Sequence, residues 1–112
     1  MMTLSVRAAF VLGCVCLASM TAQAQHPNVE RGQAFAQTHC SRCHAIGASG
    51  ESPLAKAPPF RTLHTRYAIE DLGESLAEGM KTGHPEMPEM PELQLDTKQI
   101  EDLIGYLKSL EP

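Results

Sequence analysis

The chain has 112 residues, 9 basic and 13 acidic side chains, a formal net charge of −4 and 43% hydrophobic residues. That length bounds it to one domain, and the acidic balance excludes nucleic acid or an anionic membrane as partner, because both need a basic face. There is no Trp, and beyond the N-terminal segment the aromatics are Phe35, Phe60, Tyr67 and Tyr106, so an interior this small calls for a staple, a metal or a large apolar cofactor.

Residues 1–24 read as an export signal, and the expected location is the periplasm. Arg7 supplies the positive end, residues 8–17 form an apolar run too short to span a bilayer, and Ala22-Gln23-Ala24 places small residues where a signal peptidase reads them. A retained anchor is disfavoured by the shortness of that run, and a lipid-modified Cys14 by the poor fit of Leu12. Cleavage after Ala24 leaves a domain at residues 25–112, with 8 basic against 13 acidic side chains and a net charge of −5. Cys14 and Cys16 leave with the signal, so Cys40 and Cys43 remain. No later segment approaches membrane length, and membrane insertion of the processed chain is not expected.

The first helix is predicted over residues 29–39, with Asn28 as N-cap after Pro27 and with Val29, Gly32, Phe35 and Ala36 on one face. Gly32 is costly in a helix interior and points to close approach of another backbone. At the end of this helix stands Cys40-Ser41-Arg42-Cys43-His44, the C-x-x-C-H pattern of covalent haem attachment. Two thiols three positions apart can add to neighbouring vinyl groups on one haem edge, and the next residue then brings an imidazole under the iron. His44 is the expected proximal ligand, through Nε2. A thioredoxin-like redox pair would need strands around it. Zinc would need a second Cys/His pair at zinc spacing, and a disulfide closing so short a loop would constrain the unfolded chain little.

Residues 45–59 are rich in Gly and Pro and read as loop, followed by a short helical turn near residues 61–65. A second helix is predicted over residues 69–79, with Ile69, Leu72, Leu76 and Met80 inward and Glu70, Glu74 and Glu78 outward. Residues 82–95 are again loop, and within them Pro85-Glu86-Met87 is nearly repeated by Pro88-Glu89-Met90. The last helix is the clearest. Asp96 and Gln99 form a capping-box-like start, and Ile100, Leu103, Ile104, Leu107 and Leu110 recur at helical spacing. No strand pattern occurs, so the predicted fold class is all-α, with about three main helices around one covalently bound haem.

In this order of elements the chain resembles the small class I cytochromes c over nearly all of residues 25–112. An attachment motif ends the first helix, Ala57-Pro58-Pro59-Phe60 follows, then a middle helix, a Met-Pro loop and a last helix carrying Tyr106. The resemblance implies that the first and last helices cross closely, setting Gly32 toward Tyr106. It also implies that the Pro58 carbonyl accepts from His44 Nδ1–H, and that one haem c is held by Cys40, Cys43 and His44 with a methionine as sixth ligand.

A thioether suits iron in both oxidation states. Met80 falls on the inner face of the second helix and reads as core. Met87 and Met90 each precede Pro in an acidic loop where core filling would not favour them. Upstream, Gly83-His84-Pro85-Glu86-Met87-Pro88 resembles the family's methionine loop. Downstream, Met90 is followed by Leu93 and Leu95 and stands sixteen positions before Tyr106, the family's usual separation, whereas counting from Met87 puts Glu92 at an apolar position. Met90 is the expected ligand, with Met87 as the alternative and His84 a weaker competitor.

A haem with both axial positions filled leaves no open site for substrate. The expected function is therefore transfer of single electrons between redox partner proteins, by a monomeric carrier rather than an enzyme. The alternative is an electron-transfer subunit of a periplasmic dehydrogenase or oxidase complex; an open-site haem enzyme is disfavoured by the candidate methionines. Glu86, Glu89 and Glu92 crowd the methionine loop, relieved by Arg42 and Lys81, so the expected partner presents a basic or neutral docking face.

Overall fold

The structure, a computed structural model, describes residues 26–80 and 90–112. The described residues form three α-helices, α1 (Val29–His39), α2 (Leu72–Glu78) and α3 (Thr97–Ser109), with 3-10 turns at Phe60–Thr65 and Ile69–Asp71. They contain no strand. The predicted export signal, Met87 and His84 lie outside the described residues.

α1 begins where Asn28, in extended conformation, accepts a hydrogen bond from the Arg31 N–H through its side chain. That answers one of the donors a helix leaves open at its start. α3 begins on a complete capping box, in which Asp96 accepts from the Gln99 N–H at 2.8 Å and Gln99 accepts from the Asp96 N–H at 3.0 Å. The middle helix is shorter than its apolar periodicity predicts. Residues 69–71 wind as a 3-10 turn before α2 proper, a common way for a helix to start when no side chain caps it. Gly79 does not continue the helix but ends it at φ +97°, a conformation an L side chain rarely adopts.

α1 and α3 cross face to face. A Cβ added at Gly32 would stand 2.0 Å from the Asp102 carbonyl oxygen and 2.8 Å from Tyr106 Cβ, so only glycine permits the approach. Ala36, Leu103, Tyr106 and Leu107 are buried at and around the crossing, and Ile69, 1% exposed, and Leu76 bring the middle of the chain onto the same core. Val29 departs from the predicted apolar face and is 42% exposed. It belongs to the first turn, where the chain is tied to α3 through the neighbouring Asn28 backbone, which leaves Val29 beside the crossing.

A polar clasp locks the same crossing. Asp102 is only 4% exposed. Its carboxylate accepts from the Asn28 N–H at 2.7 Å, from Arg31 Nε at 2.7 Å and from Lys98 Nζ at 2.9 Å. The Arg31 guanidinium, helped by the Asn28 amide and Lys98, holds the Asp102 carboxyl well below the ordinary carboxylate range, against the opposing effect of burial. Outside this crossing, Lys108 pairs with Glu70 at the surface, joining α3 to the middle 3-10 turn.

Candidate haem-attachment site

Cys40 caps the C-terminus of α1, its N–H donating to the Ala36 carbonyl at 2.8 Å. The Cys40 carbonyl then accepts from the Cys43 and His44 amides at 3.2 and 3.0 Å, which closes one turn over the whole motif. Both cysteines are free thiols. Cys40 is buried and Cys43 half-buried, and burial pushes the Cys40 thiol up to about 11.

His44 leaves this turn into a loop that folds back on it. His44 Nδ1 is 2.8 Å from the Pro58 carbonyl oxygen. A carbonyl can only accept, so Nδ1 carries a proton, which in a neutral imidazole leaves the lone pair on Nε2. Three further hydrogen bonds hold the two sides of the loop together. The Leu54 N–H donates to Cys43 O at 3.1 Å, the Phe60 N–H to Ala45 O at 2.9 Å, and the Ala45 N–H to Ser52 Oγ at 3.0 Å. The Phe60 ring lies tilted against the imidazole, with centroids 5.1 Å apart. From the far side of the fold, Tyr106 donates its hydroxyl proton to the Ile46 carbonyl at 2.6 Å. The imidazole is thus set by backbone on both sides of it, with one ring nitrogen proton-bearing and the other available to a metal.

Met90 is half-buried and opens the stretch that leads to α3. That stretch runs beside the end of α2. The Leu95 N–H donates to Leu76 O at 3.1 Å, and a Cβ at Gly79 would come within 3.1 Å of Glu92 Cγ. Met80 packs against the core, half-buried. His39 lies tilted against Phe35 at 4.4 Å between centroids, and His64 stands in the last turn of the first 3-10 helix.

The residues present fit a haem c. Two unbridged thiols share one turn, an oriented imidazole follows directly, and half-buried apolar side chains rim the core, among them Ile46, Leu72, Met80 and Leu93. The oriented imidazole suits iron, as a histidine nitrogen is a familiar axial ligand of haem. Sequence reasoning missed two polar groups. One is Asp102, which its i,i+4 spacing to Lys98 presents as an ordinary helix-surface acid. The other is Arg61, whose Nη1 is buried without a hydrogen-bond partner among the described residues. No local signal marks the burial of Asp102, because two of its partners, Asn28 and Arg31, lie more than seventy residues away in sequence.

A protein-family model described as Cytochrome c matches residues 29–111, from the first residue of α1 to just past α3. No curated protein and no solved structure gives a match. Among the described residues no helix is long and apolar enough to cross a membrane.

Proposed function

The chain belongs to the cytochrome c family and is an electron-transfer haem protein, and from that premise we propose that it is an exported monohaem carrier passing single electrons between redox proteins of the periplasm. Bound haem c supplies the one-electron couple of its iron. Cys40 and Cys43 would hold the group covalently through their two thiols. His44 is the proximal ligand through Nε2. The observation that carries this reading is the 2.8 Å contact of His44 Nδ1 with the Pro58 carbonyl, which fixes the tautomer that a metal ligand requires. Export after Ala24 is in keeping with a family match that begins at residue 29, downstream of the signal.

Met90 is the proposed sixth ligand and Met87 the alternative. If His44 and a methionine both ligate the iron, no coordination site would remain for a substrate, which favours electron transfer over catalysis at the iron. Intact mass of the exported protein tests the core of the reading. One haem added to the chain from Gln25 onward supports it, and a protein without covalent haem, or one that loses its haem in acid, overturns it. Separate Met87→Leu and Met90→Leu variants decide the ligand, since loss of the sulfur-to-iron charge-transfer band should follow the Met90 change alone. The processed chain carries a net charge of −5, so reaction with a basic partner should slow as salt rises; a rate level with ionic strength removes the electrostatic part of the proposal.

A further inference from the structure

Charge is unevenly placed along the chain. Residues 40–68 carry Arg42, Lys56, Arg61 and Arg66 against Glu51 alone, whereas residues 69–112 carry three basic and eleven acidic side chains. The first stretch also closes on itself. The Leu54 N–H donates to Cys43 O and the Ala57 N–H to Leu54 O, which brings the turn bearing Lys56 back to the one bearing Arg42. Arg66 caps the 3-10 turn that follows. Arg42, Lys56 and Arg66 are exposed, and among the described residues none of them forms an ion pair. The described cations outside this stretch are matched, Arg31 and Lys98 by Asp102 and Lys108 by Glu70. The acids gather on other elements. Glu70 and Asp71 lie on the second 3-10 turn and Glu74 and Glu78 on α2, all exposed, and both elements pack against α3.

We infer that the face of the His44 loop carrying Arg42, Lys56 and Arg66 is a docking surface for an acidic redox protein, separate from the acidic side that suits a basic one. Arg42 lies between Cys40 and Cys43, so a partner on this face approaches the edge of the group those thiols hold. Its unpaired cations are open to the carboxylates of another protein, with no internal ion pair to break first. Tyr67, 53% exposed, stands beside Arg66 and joins an aromatic to an arginine, two residue types that concentrate binding energy at interfaces. A domain of this size is about 30 Å across and the Debye length at physiological salt is about 8 Å, so a protein docked on the loop is screened from the acidic side. An extended polyanion, such as a nucleic acid or an anionic membrane, would overlap the acidic side as well, whereas a protein with a bounded acidic patch does not. Donor and acceptor of opposite surface charge would then bind to different faces without competing.

The inference rests on the haem reading above, and the two fail separately: a protein without covalent haem ends both, whereas a haem protein whose loop attracts no anion ends this one alone. Net charge and local charge predict opposite results. Hexacyanochromate(III), a paramagnetic trianion, is titrated into the reduced holoprotein at low salt while the amide resonances are followed. Attraction to the loop broadens the amides of Arg42, Lys56 and Arg66 first, and added salt reverses the effect. Broadening without localisation, or strongest on α2, overturns the inference. The second readout is oxidation of the reduced holoprotein by hexacyanoferrate(III). One electron passes from the haem iron, which becomes ferric, to the complex, which becomes hexacyanoferrate(II). The rate should fall about tenfold between about 0.01 and 0.1 M salt, as the Debye length shrinks from about 30 to about 10 Å. A net charge of −5 acting as a whole would make the rate rise instead, and that outcome overturns the inference. The double variant Lys56→Glu, Arg66→Glu should lose the loop broadening and reverse the salt dependence, whereas Glu74→Lys, Glu78→Lys should keep both. A loop variant that behaves as the natural chain does also overturns it. Where the loop double variant does not assemble with haem, Lys56→Glu alone decides by the same criterion.

Discussion

The α1–α3 crossing and the His44 loop hold themselves together in opposite ways. At the crossing, packing and charge are matched within the chain: Gly32 admits the α3 backbone, and the Asp102 carboxylate meets an amide, a guanidinium and an ammonium. Around His44 the described residues supply mostly backbone hydrogen bonds, two free thiols and one buried arginine nitrogen without a partner among them. The first region is complete with the groups the sequence encodes. The second is arranged around something added to it. Stability should therefore respond most to changes at the crossing, and electronic properties to changes around His44.

The sharpest way to break this division is Gly32→Ala. The new methyl group would meet the Asp102 carbonyl at 2.0 Å, a backbone atom that cannot swing aside, so the helices must separate. The expected loss is about 4 kcal/mol or more, at the limit of what a small domain survives, and thermal unfolding of whatever holoprotein is recovered measures it.

Next in size is Asp102→Ala, which strips the acceptor from three donors. Arg31 and Lys98 are partly in water and regain solvation there, so the expected cost is about 2 kcal/mol by denaturant titration. The same carboxylate sets a pH dependence. Its pKa is lowered on folding, so its stabilisation is complete above the unfolded-state value of about 3.9 and is lost as pH falls from there toward the folded-state pKa. Acid unfolding curves of the natural protein and Asp102→Ala should converge at low pH and stand apart near neutrality. A constant gap at every pH would mean that packing, not charge, carries the effect.

Tyr106→Phe probes the link between the two regions. It removes the hydroxyl bonded to Ile46 O and should cost about 1 kcal/mol while leaving the axial ligand bands in place. The smallest effect belongs to Lys108→Ala. Its pairing with Glu70 is exposed on both sides, and the melting temperature should not change measurably at moderate salt.

What the sequence discloses follows from where the deciding contacts lie. α1 and α3 are legible because their signals are local: Asn28 bonds three residues ahead, and Asp96 and Gln99 answer each other across three positions. α2 is legible as an apolar stripe but not in its limits, since periodicity does not register that residues 69–71 wind more tightly or that Gly79 takes a positive φ. Cys40, Cys43 and His44 declare a chemistry because reactive groups at a fixed short spacing are rare by chance. The contact of His44 with the Pro58 carbonyl spans fourteen residues of loop, and only family resemblance suggests it. The burial of Asp102 is invisible for the same reason. A charged residue is buried by its neighbours in space, and no nearby pattern records them.

The crossing also imposes an order of events on the chain. Asp102 and Arg31 are 71 residues apart, and closing a loop of that length costs about 4 kcal/mol of chain entropy before any contact repays it. A chain delivered N-terminus first carries α1 and the attachment turn for as long as the sequence of α3 takes to follow. Through that interval Cys40 is in water with the acidity of an ordinary thiol. Folding then buries it and pushes it up to about 11, where little thiolate remains at neutral pH. The separation of the two helices in sequence thus leaves both thiols in water until α3 has followed and closed the crossing.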